Sequence, residues 1–434
     1  MIAGYCWPHS GVAGDTVDLM ISSTGGSCRV EVLRVGAAEQ LVAAWEVATA
    51  EQPVPDDCAA EGCGWIPTLQ LEIDPAWQPG FHLVRLHGPD GEIAEAFFVV
   101  RAAEPGETLL VLSTSTWAAY NDWGGPSFYT GGHVSSQQRP LPRGFLDKPD
   151  PHRYRVAWFG QLPRAEVADY FDNYSYWSAE MRNHVENWVE TGGAVAFFSG
   201  NTSFWQVRFG DDDRVIGYKL DFHLDPVMGT DAEHTVSTMW SDPLTGRPES
   251  EMTGVSFTRG GYAHCRRAPK GSGGYTIWRP EHWAFDGLRL IAGDVVGAEP
   301  VVVGYECDGC ELALVNGLPV SAGTGGTPAN FEVLGTAPAH LWETSEAPPE
   351  MPESYVGELN WVTERLGGGD TPENRERFAY GAAVMGWFRR GHGEVFTTGC
   401  TDWAYGLEHH DVATVTRNVI GRYVDLAGGK LGSP

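Results

Sequence analysis

The chain has 434 residues, 42% hydrophobic and 20% charged, the composition of ordinary globular protein at a length too great for one compact core. Its 29 Lys and Arg against 57 Asp and Glu leave a formal net charge of −28. That field repels nucleic acid and anionic lipid, and no basic stripe overrides it. No apolar run reaches the roughly 18–20 residues of a membrane helix. Residues 1–14 carry neither a basic nor an apolar signal segment, so a cytoplasmic protein with no nucleic-acid or membrane partner is expected.

Residues 1–104 read as all-β. Short alternating runs recur at Thr16–Ser22, Cys28–Arg34, Leu69–Ile73, Gly80–His87 and Glu92–Arg101, separated by Gly, Pro and Asp clusters. That spacing predicts an immunoglobulin-like β-sandwich. After a short polar linker at 102–107 the pattern changes, and residues 105–434 read as an α/β domain. Thr108–Ser113 is nearly all apolar, as in a strand buried within a parallel sheet. Ser178–Thr191 reads as an amphipathic helix, capped by Ser178 at its start and Gly192-Gly193 at its end. Ala194–Ser199 is a second apolar strand. The stretch from about 214 to 345 is turn-rich and strand-like, a β-rich insertion or flanking layer. Gly393–Gly399 reads as a buried strand and Val412–Asp425 as a terminal helix.

The eight cysteines make no dense framework. Cys307-Asp308-Gly309-Cys310 lies between two apolar runs, and Asp-Gly predicts a tight hairpin with the two cysteines facing each other. Either the thiols are reduced, or Cys307, Cys310, Cys265 and His264 hold a structural zinc. In an open α/β sheet ligands bind beyond the carboxyl ends of the strands, which directs attention to three segments. Residues 115–125 are rich in Trp, Tyr, Asn and Gly, either a ligand-bearing loop or an aromatic plug. Residues 172–178 lead into a helix whose free N–H groups suit an anion. Phe197–Thr202 ends a strand and carries Asn201, an amide donor or a plain turn residue. Cys400 ends another strand near His409, His410 and Asp411, as a nucleophile or a small buried residue. His282 either lines a pocket or caps a turn. Glu249 and Glu251 follow Arg247-Pro248 in what reads as an exposed loop.

Residues 115–125, Tyr176–Arg182 and Ala196–Asn201 resemble successive blocks of the dimethylformamidase large-subunit family. Tyr275–Trp283, Gly293-Asp294, Gly304–Glu306, Met385–Arg390 and Phe396–Trp403 follow in the family's order. The resemblance implies a glutamine-amidotransferase-like α/β fold behind the sandwich, and hydrolysis of small amides. It also implies iron held by two tyrosines and a glutamate, assisted by a histidine, an asparagine and a second glutamate. Phenolate and carboxylate are hard ligands suited to ferric iron. Tyr120 falls on the first tyrosine ligand, Asn201 on the asparagine and Glu306 on the assisting glutamate. Where the family has histidine and the glutamate ligand, this chain has Asn173 and Ser175. Asp172, Tyr174 and Tyr176 are near as substitute metal ligands, and the second tyrosine falls in a region that reads as shortened, near Phe159.

The expected function is therefore hydrolysis of the C–N bond of a small amide or amide-like metabolite, in a pocket walled by Tyr120, Asn173, Ser175, Asn201 and Glu306. The alternative is a relative that lost the iron site and serves as a binding or assembly protein, or as a metal-free biosynthetic enzyme. The resemblance also implies a homo-oligomer, in some relatives joined by a small accessory subunit.

Overall fold

The computed structural model describes residues 1–36, 38–104, 106, 108–142, 145–146, 175–211, 214–263, 271–343 and 358–428. Phe159, Asp172, Asn173, Tyr174, His264 and Cys265 lie outside the described residues. The contacts gather into two units: the first runs from Met1 onward and includes Phe209–Ile216, and the second comprises the other described residues from Ser175 on. The whole is mixed α/β, with many strands and few helices.

In the first unit, β1 (Ile2–Trp7), β3 (Thr16–Ser23) and β6 (Leu69–Glu72) form an antiparallel sheet with β3 central. A second sheet runs β2 (Ser10–Gly11), β8 (Ile93–Val100), β7 (Gly80–His87), β4 (Ser27–Arg34), β5 (Gln40–Ala48). Side chains at alternate positions share one face of a strand. Val17, Leu19 and Ile21 of β3 therefore meet Cys28, Val30 and Val32 of β4 in a single core between the sheets. The five predicted runs all become strands. β1 and β5 escaped notice because Gly, Ala and half-buried polar positions blur their alternation.

Thr108–Ser113, expected as a buried strand, is not one. Leu109 is 84% exposed, none of the described residues pairs with the segment, and the chain turns into the helix Thr114–Tyr120. An apolar run signals a preference for burial, but a strand exists only where a neighbour takes its N–H and C=O groups. Much of the 115–125 segment is thus helix rather than loop. Its Trp117 lies edge-on to Phe97, with ring centroids 4.9 Å apart, on the outer face of the five-stranded sheet.

The second unit is built on a mixed sheet, ordered β11 (Ala194–Phe197), β22 (Gly393–Thr397), β21 (Tyr380–Arg390), β20 (Glu332–His340), β14 (Ser256–Tyr262), β17 (Glu306–Gly309). β15 (Tyr275–Ile277) joins it through β20. The stretch 214–345 thus contributes β14, β15, β17 and β20 to this same sheet. Within it β11 and β22 run parallel, from Ala194↔Glu394 to Phe197↔Thr397, and the other neighbours are antiparallel. A separate short strand, β10 (Tyr176–Ser178), pairs in parallel with β12 (Trp205–Phe209), Tyr176 opposite Trp205. The helix Ala179–Glu190 begins as predicted, with the Ser178 hydroxyl accepting from the Met181 N–H. The helix His410–Ala427 buries Val412, Val415 and Val419, one face of a 3.6-residue period, against Phe396 and Trp403.

Cys307–Cys310 is not a hairpin turn. Asp308 and Gly309 lie within β17, and an added Cβ on Gly309 would collide with the Ala382 carbonyl oxygen. The glycine serves close strand approach, not reversal. The reversal comes later, at Asn316-Gly317 between β18 (Leu312–Val315) and β19 (Leu318–Ser321), with φ of 52° and 82°. Both positive angles suit a type I′ turn.

Candidate functional site

The parallel pair β11 and β22 ends in two adjoining loops, 198–204 and 398–403. Their backbones are knitted: Thr398 N–H donates to Phe197 C=O at 2.9 Å, and Gly200 packs so closely on Cys400 and Thr401 that a Cβ would lie 2.7 Å from the Thr401 nitrogen. The first loop reverses through Asn201 and Ser203, both left-handed at φ 49° and 55°. Such angles are uncommon outside glycine and persist only where surroundings impose them.

Asp308 braces the Asn201 end of this loop. From β17 its buried carboxylate accepts the Asn201 N–H at 2.8 Å and the Thr202 N–H at 3.1 Å. Its own N–H donates to Gly399 C=O at 3.0 Å, tying the second loop to the same strand. Burial pushes the Asp308 carboxyl up to about 7, opposed by the two donated N–H bonds and reinforced by Glu249. Two residues earlier on β17, the Glu306 C=O accepts the Thr401 N–H at 3.1 Å. Ser175 closes the assembly: its hydroxyl donates to Asn201 C=O at 2.8 Å, and its own C=O accepts the Trp205 N–H at 2.8 Å.

Three expected residues, Ser175, Asn201 and Glu306, are therefore joined within the second unit. Glu306 is buried, and Asn201 keeps Oδ1 out of solvent with no hydrogen-bond partner among the described residues. A side-chain amide can be turned end for end, so Asn201 can offer an acceptor or an NH₂ donor to a bound carbonyl. Asp308 was missed because Asp-Gly reads as a turn, and no local pattern announces a carboxylate that braces a loop a hundred residues away.

Tyr120 belongs to the first unit, where its ring stacks on Tyr129 with centroids 4.3 Å apart. That unit holds a small cavity of about 30 Å³, lined by Tyr5, His9, Glu95, Trp117, Asn121 and Arg139 among others. Arg139 is fixed there by the carbonyls of Ser136, Trp123 and Asn121 and by the Ser135 hydroxyl.

Other expectations resolve plainly. Cys400 is wholly buried, and burial raises its thiol to about 12, so it is no nucleophile at neutral pH. Asp411 accepts the Gly297 N–H at 2.7 Å. His282 caps a turn, its Nδ1 accepting the Ala284 N–H at 3.3 Å, and burial lowers its pKa to about 4. Glu249 is not on an exposed loop. It is fully buried, accepts the hydroxyls of Ser241 and Ser256, and is held above the usual carboxylate range by burial.

The iron implied by the family resemblance needs tyrosinate and carboxylate donors. Tyr176 is fully buried on β10, but Ser175, at the family's glutamate position, has committed its hydroxyl to a carbonyl. Among the described residues no three His, Cys, Asp or Glu gather as a ligand group. The family's glutamate position thus offers a serine hydroxyl already bonded to a carbonyl, which does not fit the carboxylate ligand of such a site.

A solved beta-glucosidase from Listeria innocua, a mutant bound to laminaribiose, shares 12% identity over 24% of this chain and 16% of its own, with a TM-score of 0.15, too low to bear on fold or function. This chain thus spans about a sixth of that protein's length. No curated protein matches the chain. No helix among the described residues is long and apolar enough to cross a membrane. The family profile described as N,N-dimethylformamidase beta subunit-like, C-terminal, matches residues 29–165 and 175–415, most of the sequence, and the chain belongs to that family.

Proposed function

We propose that this protein is a hydrolase-like enzyme acting on the C–N bond of a small amide or amide-like metabolite. The observation that carries the reading is Asn201. Its side-chain amide has an unpaired buried end, its backbone is locked left-handed by Asp308, and it stands beyond the carboxyl ends of the parallel strands of a dimethylformamidase-like chain.

In this reading Asn201 donates to the oxygen of the amide carbonyl as it gains charge, the role of an oxyanion-hole donor. Water adds to the carbonyl carbon, the C–N bond breaks, and the leaving nitrogen takes up a proton. Glu306 orients the attacking water, with Ser175 and Asp308 holding the loop rather than touching substrate. No step is assigned to iron. The same reading takes the two N-terminal sheets as an immunoglobulin-like sandwich and the second unit as amidotransferase-like. It takes the assembly as a cytoplasmic homo-oligomer, with a small accessory subunit as in some relatives.

The test is turnover of a panel of small formamides and acetamides by the wild type and by Asn201→Ala. Loss of one such donor lowers kcat by about 10²–10³-fold, and that drop is expected. Full activity in Asn201→Ala sinks this assignment of Asn201. A wild type that binds these amides without turning them over favours the non-catalytic relative.

A further inference from the structure

The second unit holds another group of polar side chains that the family resemblance does not assign: Lys219, Tyr262 and Glu358. They lie far apart in sequence, on a 3-10 turn, at the end of β14 and at the start of the helix Glu358–Gly367. The Tyr262 hydroxyl donates to Glu358 Oε1 at 2.9 Å. Glu358 Oε2 is out of solvent and has no hydrogen-bond partner among the described residues. Nearby on the same helix, Asn360 Oδ1 and Trp361 Nε1 are likewise out of solvent and without a partner among the described residues. Unpaired buried polar atoms are rare and call for an explanation, since each leaves a desolvation penalty uncompensated.

The walls are aromatic. Tyr262 stacks on Trp342 with centroids 4.2 Å apart and leans on Tyr305 at 5.3 Å, while Lys219 Nζ lies 5.2 Å from the Trp205 ring centroid. Lys219 is left-handed at φ 54°, and its N–H donates to Ser237 C=O at 2.7 Å. Two links run from this group to the candidate site. Tyr262 is the register partner of Glu306 across β14 and β17, and Trp205 donates its N–H to Ser175.

We propose that Glu358 is the acid that protonates the leaving nitrogen, with Tyr262 and Lys219 as its positioning residues and the aromatic walls selecting a small, compact amide. The inference rests on the amidase reading and deepens it. Water's oxygen bonds to the carbonyl carbon, and the proton of Glu358 goes to the nitrogen as the C–N bond breaks. A proton from the added water returns to the carboxylate, leaving a carboxylic acid and an amine. Glu358 Oε2 is the oxygen left open for that transfer. Burial raises the Glu358 carboxyl to about 7, against the lowering effects of its own backbone N–H, Tyr262 and Lys219. Burial also holds Lys219 well below its usual range, against Glu358 and Asp221. An acid with that pKa is half-protonated at neutral pH, which is what such a step requires.

The experiment compares wild type with Glu358→Gln, Lys219→Met and Tyr262→Phe, the last keeping the ring and its stack on Trp342 in case the others fold poorly. Turnover of small amides is followed across neutral pH, alongside tryptophan-fluorescence titration with N,N-dimethylformamide, which needs no turnover. Glu358→Gln is expected to lose about 100-fold or more in kcat. Lys219→Met and Tyr262→Phe each remove an influence that lowers the carboxyl, so their pH–rate limb is expected to move upward. Wild-type rates in Glu358→Gln, or an unmoved limb in both other variants, overturn the proposal while leaving the amidase reading standing. A wild type that binds N,N-dimethylformamide without turnover, with binding lost in Glu358→Gln, sinks the amidase reading and keeps these residues as a ligand site. Absence of both turnover and binding in the wild type, or binding that is the same in all four proteins without turnover, overturns both.

Discussion

Asp308→Asn isolates the brace beneath the candidate site. The wild-type carboxylate receives two backbone N–H groups, from Asn201 at 2.8 Å and Thr202 at 3.1 Å. An asparagine in the same place accepts one and turns an NH₂ toward the other, so one buried donor loses its partner, a penalty of about 1–3 kcal/mol. The size of the deficit should depend on pH. The folded carboxyl sits at about 7, raised by burial from 3.8. Between those values the folded chain holds a proton that the unfolded chain releases. The stability this group contributes is therefore full below the unfolded value and is lost as pH rises through the folded one. From about pH 6 to about pH 8.5 the wild type should lose roughly 1.4 kcal/mol on this account, the worth of one pKa unit. The asparagine variant has no such dependence, and Glu358, also near 7, acts equally in both proteins and cancels. Urea unfolding followed by tryptophan fluorescence at the two pH values measures the difference. A deficit that narrows by that amount is expected. One that stays constant or widens with pH refutes a buried, proton-holding Asp308.

Gly200→Ala should weaken both fold and activity. Its Cβ would sit 2.7 Å from the Thr401 nitrogen, backbone that cannot swing aside, so a loss of about 1–3 kcal/mol in thermal denaturation is expected, and an unchanged Tm would deny that the loops touch. Metal content by mass spectrometry on freshly purified protein should show iron well below one atom per chain, since the Ser175 hydroxyl is bonded to a carbonyl where a carboxylate ligand is needed. Near-stoichiometric iron that disappears in Tyr120→Phe would overturn that expectation.

Local signals in the sequence led to local structure. Ser178 caps its helix, and the apolar runs at 194–199 and 393–399 are strands, because a hydroxyl bonding three residues on and a short buried strand are fixed by near neighbours. Asn201 stood out only through the family's blocks, since a strand-end asparagine otherwise reads as a turn. The misreadings share one cause. Asp-Gly at 308–309 has the same composition whether it reverses the chain or lets β17 lie against Ala382. Glu249 looks like any surface glutamate until Ser256 on β14 packs beside it. Leu109 and its neighbours are apolar, yet they make no strand because the described residues give them no partner. Lys219, Tyr262 and Glu358 had no signal at all. Each is ordinary in its own window, and only the fold brings them together.

Three carboxyls, those of Glu249, Asp308 and Glu358, are pushed upward by burial within the same unit of a chain carrying a net charge of −28. Placing anions in a poorly solvated interior is unfavourable, and a negative surrounding field makes it more so. Such groups persist when held neutral or when paired with donors, and the three use these means differently. Glu249 takes two hydroxyls, and its side chain is closed to anything further. Asp308 takes two backbone N–H groups and converts its burial into the left-handed turn that presents Asn201. Glu358 takes one side-chain donor, the Tyr262 phenol, and its Oε2 has no hydrogen-bond partner among the described residues. A purely structural role explains the first two. It does not explain the third, whose open oxygen is an uncompensated loss unless a ligand completes it.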